Sequence, residues 1–201
     1  MSKKIAILGL AANPIHIGHI AVATYVADFL VDEVWISPCY SHMHNKEMVD
    51  PQHRLAMCRL AVDSDLQFDV DSSTRHKIKV SSIEIEEKWQ LSTYEALSRL
   101  KKTMPEVDFY FIIGQDNADN IHKWKYSEQL LKEFTFIVLS RDQESKNIEN
   151  QWYLNPPHLF ISNFKIPISS TDIRHSLEGN KFYLPPKVYD YIIEHKLYGA
   201  K

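Results

Sequence analysis

Residues 4–37, KIAILGLAANPIHIGHIAVATYVADFLVDEVWIS, decide the fold. Residues 4–10 (KIAILGL) form an almost wholly apolar run, which suits a strand buried on both faces of a parallel sheet. Beyond Asn13-Pro14, the segment from His19 to Leu30 carries apolar residues at helical spacing. Glu33 to Ser37 (EVWIS) reads as a second strand, so the stretch is a β-α-β unit.

The same alternation continues outward. The polar, His-rich segment from Pro38 to Asp50 reads as a loop, and Pro51 then opens a helix to about Val62, where the missing proline N–H is harmless. Strands are expected at 66–70, 79–85, 108–113, 134–139 and 158–161. Helices are expected at 94–103 (capped by Ser92 or Thr93), 117–124, 127–132, 170–177 and 186–195. Arg141 to Asn155 is polar enough to be a mobile excursion but too short for a domain linker. Strands alternating with helices predict one α/β domain over 1–201. Its sheet would be a doubly wound, Rossmann-like parallel one with helices on both faces, open to ligands at the C-terminal ends of the strands.

The bulk composition agrees. The chain has 201 residues, 44% hydrophobic and 24% charged, enough to fill one core. A net charge of −3 without long runs of one sign argues against a general grip on nucleic acid or on an anionic membrane. Cys39 and Cys58 show no metal-ligand spacing and read as free thiols in a reducing compartment. Lys3-Lys4 before an apolar stretch imitates a signal peptide, but His16, Gly18 and His19 interrupt it, and no apolar run reaches membrane-spanning length. The cytoplasm is the expected compartment.

Two segments carry chemistry. In GLAANPIHIGH, Gly9 to His19, a buried strand ends in a turn and two histidines three residues apart meet the start of a helix. A helix N-terminus offers unpaired N–H groups and a partial positive charge, and so favours phosphate. Gly18 keeps the backbone low between the imidazoles, which can hydrogen-bond phosphoryl oxygens and absorb charge growing in the transition state. In ISSTDIR, Ile168 to Arg174, three hydroxyl residues precede an apolar-periodic stretch. Alone it is an ordinary helix cap. Beside the first segment, its hydroxyls, N–H groups and guanidinium make a second phosphate cradle, and two cradles imply a polyphosphate.

His16-x-Gly18-His19 behind Asn13-Pro14, together with ISSTDIR, resembles the nucleotidyltransferase superfamily with the HxGH and ISSTxxR signatures. Within it the chain is most similar to bacterial nicotinate mononucleotide adenylyltransferases. His53-Arg54, Thr93 to Leu97, IIGQD (Ile112 to Asp116), Lys123-Trp124, Ser140-Arg141 and the tail from Leu184-Pro185 through Leu197-Tyr198 follow the family in order.

The resemblance implies an adenylyl transfer from ATP to nicotinate or nicotinamide mononucleotide. It assigns His16 and His19 to the ATP phosphates, with His19 the main stabiliser of the reacting α-phosphate. Ser170, Thr171 and Arg174 would take the β- and γ-phosphates, and Gly9, Leu10, Ala11, Gly18, Ile168 and Ser169 would complete the nucleotide site. Asp116 would bind a ribose, with Gly114 allowing close approach; its other reading is a cap for the helix that follows. Thr93 and Trp124 would line the pyridine pocket, though Thr93 also suits a helix cap and Trp124 the core. Lys46, Arg54 and Arg141 would lie near the acceptor, Arg54 also reading as a solvated helix residue. Mg²⁺ would arrive on the ATP phosphates and not in a protein cage; His42, His44 and His53 read as solvated, not as metal ligands. A homo-oligomer would suit the family.

The chain departs from the family at Leu10-Ala11-Ala12, where bacterial members usually carry a glycine, a small hydroxyl residue and an aromatic. That keeps two rival readings open: a transferase acting on another phosphorylated acceptor, such as phosphopantetheine, and a non-catalytic nucleotide-binding relative.

Overall fold

The computed structural model describes residues 2–41, 47–63, 72–140, 151–162, 164 and 168–200, with the backbone alone at 72 and 73. Its strands are β1 (Lys3–Leu10), β2 (Glu33–Pro38), β3 (Ile78–Val80), β4 (Val107–Gly114), β5 (Thr135–Leu139) and β6 (Leu159–Ile161). The α-helices are α1 (Ile17–Phe29), α2 (Pro51–Asp63), α3 (Ser72–Arg75), α4 (Ile83–Glu86), α5 (Thr93–Thr103), α6 (Gln115–Asp119), α7 (Ser127–Glu133), α8 (Ser170–His175) and α9 (Pro186–Glu194). The strand order is β3-β2-β1-β4-β5-β6, and the pairings β2–β3, β1–β4, β4–β5 and β5–β6 are all parallel. The order reverses at β1, so the turn that leaves β1 is where a doubly wound sheet receives its ligand.

Contacts divide the chain into two compact units, one of residues 1–8 and 91–166, the other of 9–90 and 167–201. In the first, Phe109, Phe111, Ile112 and Ile113 of β4 and Phe136, Ile137 and Val138 of β5 are buried, as are Leu97 and Leu100 of α5 and Leu130 of α7. In the second, Ile20, Ala23, Val26 and Ala27 of α1 and Val34 and Ile36 of β2 are buried with Leu55, Met57, Cys58 and Ala61 of α2 and Val188 and Ile192 of α9. Cys39 and Cys58 are free thiols, and burial pushes Cys58 up to about 12. Among the described residues no helix is long and apolar enough to cross a membrane.

The sequence reading and the structure differ at several elements; the helix expected over 117–124 is instead α6, Gln115–Asp119, followed by the 3₁₀ turn Ile121–Lys123. Residues 83–85, expected at the end of a strand, lie in α4. Ile78–Val80 pair with Val34 to Ile36 of β2, the Ser81 N–H still donates to the Ile36 carbonyl (2.9 Å), and the chain then turns with Ser82 already in right-handed helical conformation. Within 141–155, the short 3₁₀ turn Trp152–Leu154 is an anchor and not an excursion. Tyr153 is fully buried, its hydroxyl donating to Asp119 (3.1 Å) and accepting from Gln115 (3.0 Å). Trp152 donates its indole N–H to the carbonyl of Ala118 (3.1 Å), so both aromatics hold α6. The expected strand at 66–70 lies outside the described residues.

Ala12 has φ 49°, in the left-handed region, and so do Lys196 (50°) and Tyr198 (54°) near the C-terminus. Each is a non-glycine residue there, at a cost of roughly 1–2 kcal/mol, which surrounding contacts must offset.

Glu84 supplies a stability test. Its carboxylate accepts the Ser37 hydroxyl at 3.1 Å, yet burial outweighs that bond and pushes the acid from 4.5 up to about 7. The folded chain therefore keeps a proton that the unfolded chain releases above 4.5. The contribution of this one group to stability is greatest below about 4.5 and falls as pH rises to about 7; its full loss is on the order of 3 kcal/mol. Glu84→Gln is expected to gain most of that at pH 8 and little at pH 4.5, by urea unfolding. Equal gains at both pH values would refute the assignment.

Candidate active site

The first motif builds its geometry from a helix cap made of two histidines. His16 is the N-cap of α1, with extended backbone, and only 3% exposed. Its Nδ1 accepts the backbone N–H of Gly18 (3.2 Å), and the Nδ1 of His19 accepts the backbone N–H of His16 (3.2 Å). This is a capping box in which imidazoles replace the usual hydroxyl and carboxylate. The cap has a chemical consequence. A ring nitrogen that accepts carries no proton, so each neutral imidazole bears its proton on Nε2. The rings lie 3.7 Å apart between centroids at a helix N-terminus, and the fixed tautomers make both of them N–H donors.

The second motif folds directly against the first. Ser169 caps α8: its hydroxyl accepts the N–H of Asp172 (3.2 Å) and donates to the Asp172 carboxylate (2.6 Å), which also accepts the Ser169 N–H (3.0 Å). The Ser169 hydroxyl is the main reason that the Asp172 carboxyl sits below its usual range. Ser170 donates its hydroxyl to the carbonyl of Pro14 (2.9 Å). Arg174 donates one guanidinium nitrogen to the carbonyl of Asn13 (2.7 Å) and the other to the Thr171 hydroxyl (3.1 Å). His16, Gly18, His19, Ser170, Thr171 and Arg174 are thus gathered on one turn by residues some 160 positions apart in sequence. Gly9 is exposed at the end of β1, Leu10 and Ala11 are half-buried, and Ile168 is buried in the core.

Arg54 corrects one of its two readings. It is fully buried, not solvated. Its guanidinium donates to four main-chain carbonyls: Ala11 (2.8 Å), Cys39 (2.7 Å), Tyr40 (3.0 Å) and Val49 (3.0 Å). It braces the turn after β1 against the segment after β2. Tyr198, quoted in the sequence only as part of the matching tail, donates its hydroxyl to the Asn13 side-chain oxygen at 2.9 Å. His53 lies on α2 with its Nδ1 2.9 Å from the Tyr191 hydroxyl and its ring 5.1 Å from that of His195. Lys46, Arg141, His42 and His44 lie outside the described residues. Among the described residues no three His, Cys, Asp or Glu side chains group as a metal site.

The other unit holds the remaining candidates. Ser92, not Thr93, caps α5: its hydroxyl and N–H donate to the Glu95 carboxylate at 2.7 and 2.8 Å. That frees the Thr93 position from the capping role. Trp124 closes the 3₁₀ turn Ile121–Lys123, half-buried, with its ring T-shaped to Phe111 at 6.3 Å. Lys125 donates to Glu95 at 2.8 Å, tying the neighbour of Trp124 to the first turn of α5. Lys125 first, and Ser92 second, hold the Glu95 carboxyl at about 2. At the end of β4, Gly114 is N-cap of α6, and a Cβ built on it would lie 2.5 Å from the Asp116 carboxylate. Asp116 itself is exposed and makes no side-chain cap for α6.

Comparison with known proteins places these motifs. The cytidylyltransferase-like family matches residues 11–176. The chain is 34% identical over 206 aligned residues to a "Probable nicotinate-nucleotide adenylyltransferase" of Lactococcus lactis subsp. lactis, covering 99% of this chain and 97% of the relative. A protein of the same name from Caldicellulosiruptor saccharolyticus is 34% identical over 205, covering 97% of this chain and 98% of the relative. Among solved structures, Plasmodium falciparum nicotinic acid mononucleotide adenylyltransferase complexed with NaAD superposes with a TM-score of 0.83 at 25% identity, covering 99% of this chain and 98% of that one. The chain is a member of the cytidylyltransferase-like family and belongs with its nicotinate-nucleotide adenylyltransferases.

Proposed function

We infer that this chain transfers the AMP moiety of ATP to nicotinate mononucleotide, releasing pyrophosphate and forming a dinucleotide for NAD biosynthesis. The observation that carries the reading is the joining of the two phosphate motifs: Ser170 and Arg174 hydrogen-bond the Asn13-Pro14 turn, beside the paired Nε2 donors of His16 and His19. The names of the full-length relatives supply the acceptor.

The acceptor's phosphate is ionised near neutral pH and needs no general base. One of its oxygens attacks the α-phosphorus in line. The new P–O bond forms as the bond to the α,β-bridging oxygen breaks, and that electron pair leaves with pyrophosphate. Catalysis is positioning plus neutralisation of charge. His19 donates its N–H to a non-bridging oxygen of the α-phosphate, and His16, Thr171, Arg174 and the main-chain N–H of Ser170, whose hydroxyl is engaged with Pro14, hold the rest of the triphosphate. The donors on the turn are imidazoles, hydroxyls and a guanidinium, a set that takes anions. A Mg²⁺ would therefore be held through the phosphates and water and not by these side chains, and would supply charge neutralisation when bound. Thr93 and Trp124 serve the pyridine ring and Asp116 a ribose.

The test is pyrophosphate release with ATP and Mg²⁺, in parallel with nicotinate mononucleotide, nicotinamide mononucleotide and no acceptor. Turnover that requires a pyridine nucleotide and favours the nicotinate form is expected. Silence with both, while ATP binds, would overturn the reading. Gly114→Ala tests the ribose assignment separately. Its methyl would displace the Asp116 carboxylate, an exposed and movable group, so stability should change by less than about 0.5 kcal/mol. Loss of one hydrogen bond to ATP should raise its KM by about tenfold. An unchanged KM would remove Asp116 from the site.

A further inference from the structure

Asn13 is 2% exposed, and its oxygens are spoken for. The side-chain oxygen accepts from the Tyr198 hydroxyl (2.9 Å) and from the Val49 N–H (3.2 Å), while the main-chain carbonyl accepts from Arg174 (2.7 Å). A buried amide so engaged serves the turn and not a substrate. Arg174 and Ser170 are explained by the phosphate motif and Val49 by its backbone. Tyr198 is explained by none of these.

The tail that delivers Tyr198 is strained. Lys196 and Tyr198 both have left-handed backbone, and Gly199 has φ 76°. Strain of this kind persists where surrounding contacts over-determine it, and it clusters at functional positions. Burial pushes the Tyr198 hydroxyl well above the ordinary phenol range, even with Arg174 and Arg54 pulling the other way. It therefore remains an O–H donor wherever the protein is folded. Its acceptor is three residues before His16, the cap on which both imidazoles are oriented.

We propose that Tyr198 is a positioning residue for adenylyl transfer, its O–H holding Asn13 so that the turn 11–14 presents His16 and His19 to the triphosphate. It acts through Asn13 and touches no reacting atom. The proposal rests on the adenylyl-transfer reading of the site. It makes the tail after α9 part of the catalytic apparatus, although the phosphate motifs end at Arg174.

Tyr198→Phe removes one O–H and keeps the ring. At 25 °C, kcat/KM for ATP is expected to fall about tenfold, with the KM of the pyridine nucleotide within twofold of wild type. The Kd of Mg²⁺-ATP, measured by calorimetry without acceptor, is expected to rise about fivefold. A purely structural tyrosine would lower Tm and leave kcat/KM and the ATP Kd unchanged, and that result overturns the proposal. The calorimetric arm reads the turn even if no pyridine nucleotide is turned over, so failure of the transfer reading is seen in wild type and failure of this proposal only in the variant.

Discussion

His19→Ala is expected to lower kcat for pyrophosphate release by about 10²–10³-fold, the usual loss for one donor aimed at developing negative charge in a preorganised site. The structure shows why fold and rate can be separated at this position. His19 has two jobs on two ring nitrogens. Its Nδ1 accepts the His16 N–H and closes the capping box of α1, and on the proposed reading the Nε2 proton is the one offered to phosphate. Alanine loses both, and the lost cap should cost about 1 kcal/mol of stability. His19→Asn restores an acceptor at the Nδ1 position and should recover that stability while kcat stays low. His19→Gln reaches toward the Nε2 position with an N–H and should recover part of kcat. The readings are kcat under saturating substrates and the urea midpoint for all three variants. Near wild-type turnover in His19→Ala would sink the catalytic assignment, and Asn restoring kcat would shift the function to the cap.

Arg54→Lys is expected to destabilise the protein by about 3 kcal/mol or more, in the range of breaking a buried charge network. A lysine ammonium has three donors and no planar fork, whereas the guanidinium serves four carbonyls from one plane. Each buried carbonyl left without a donor adds about 1–3 kcal/mol. Arg54→Met leaves all four and is expected not to fold stably. Because one of the four is the carbonyl of Ala11, a surviving Arg54→Lys protein should also lose affinity for ATP while the acceptor KM holds. Wild-type stability in Arg54→Lys with a raised acceptor KM would instead return Arg54 to the acceptor.

The difference between the two arginine readings shows what was legible in the sequence. The β1-α1-β2 unit was readable because periodicity reports burial, and the pairing of the two motif segments because their residue types and spacing single them out, as the Ser170–Pro14 and Arg174–Asn13 hydrogen bonds then join them. The burial of Arg54 was legible too, through its helical register. It stands on the stripe Arg54, Met57, Cys58, Ala61, spaced as one buried face of α2, and a charge on such a stripe requires several buried partners. Tyr153 and Trp152 were hidden in a polar run, yet two adjacent aromatics there hint at an anchor. The strand expected through residue 85 failed because Ile83 and Ile85 alternate like a strand while β2 offers β3 only three partners. Tyr198 could not be found, since its role rests on a contact with Asn13 across 185 positions.

That long reach also governs when the enzyme comes into being. The turn of residues 11–14 is translated early, but Ser170 and Arg174, which hold its carbonyls, follow some 160 residues later. At about 5–20 residues per second, the nascent chain carries the turn for roughly 10–30 s before these donors exist. Ala12, left-handed in the folded protein, has no tether from Ser170 or Arg174 through that interval. On the proposed reading of the site, a ribosome-stalled chain ending before residue 170 should therefore display a folded β-α-β unit with no ATP affinity.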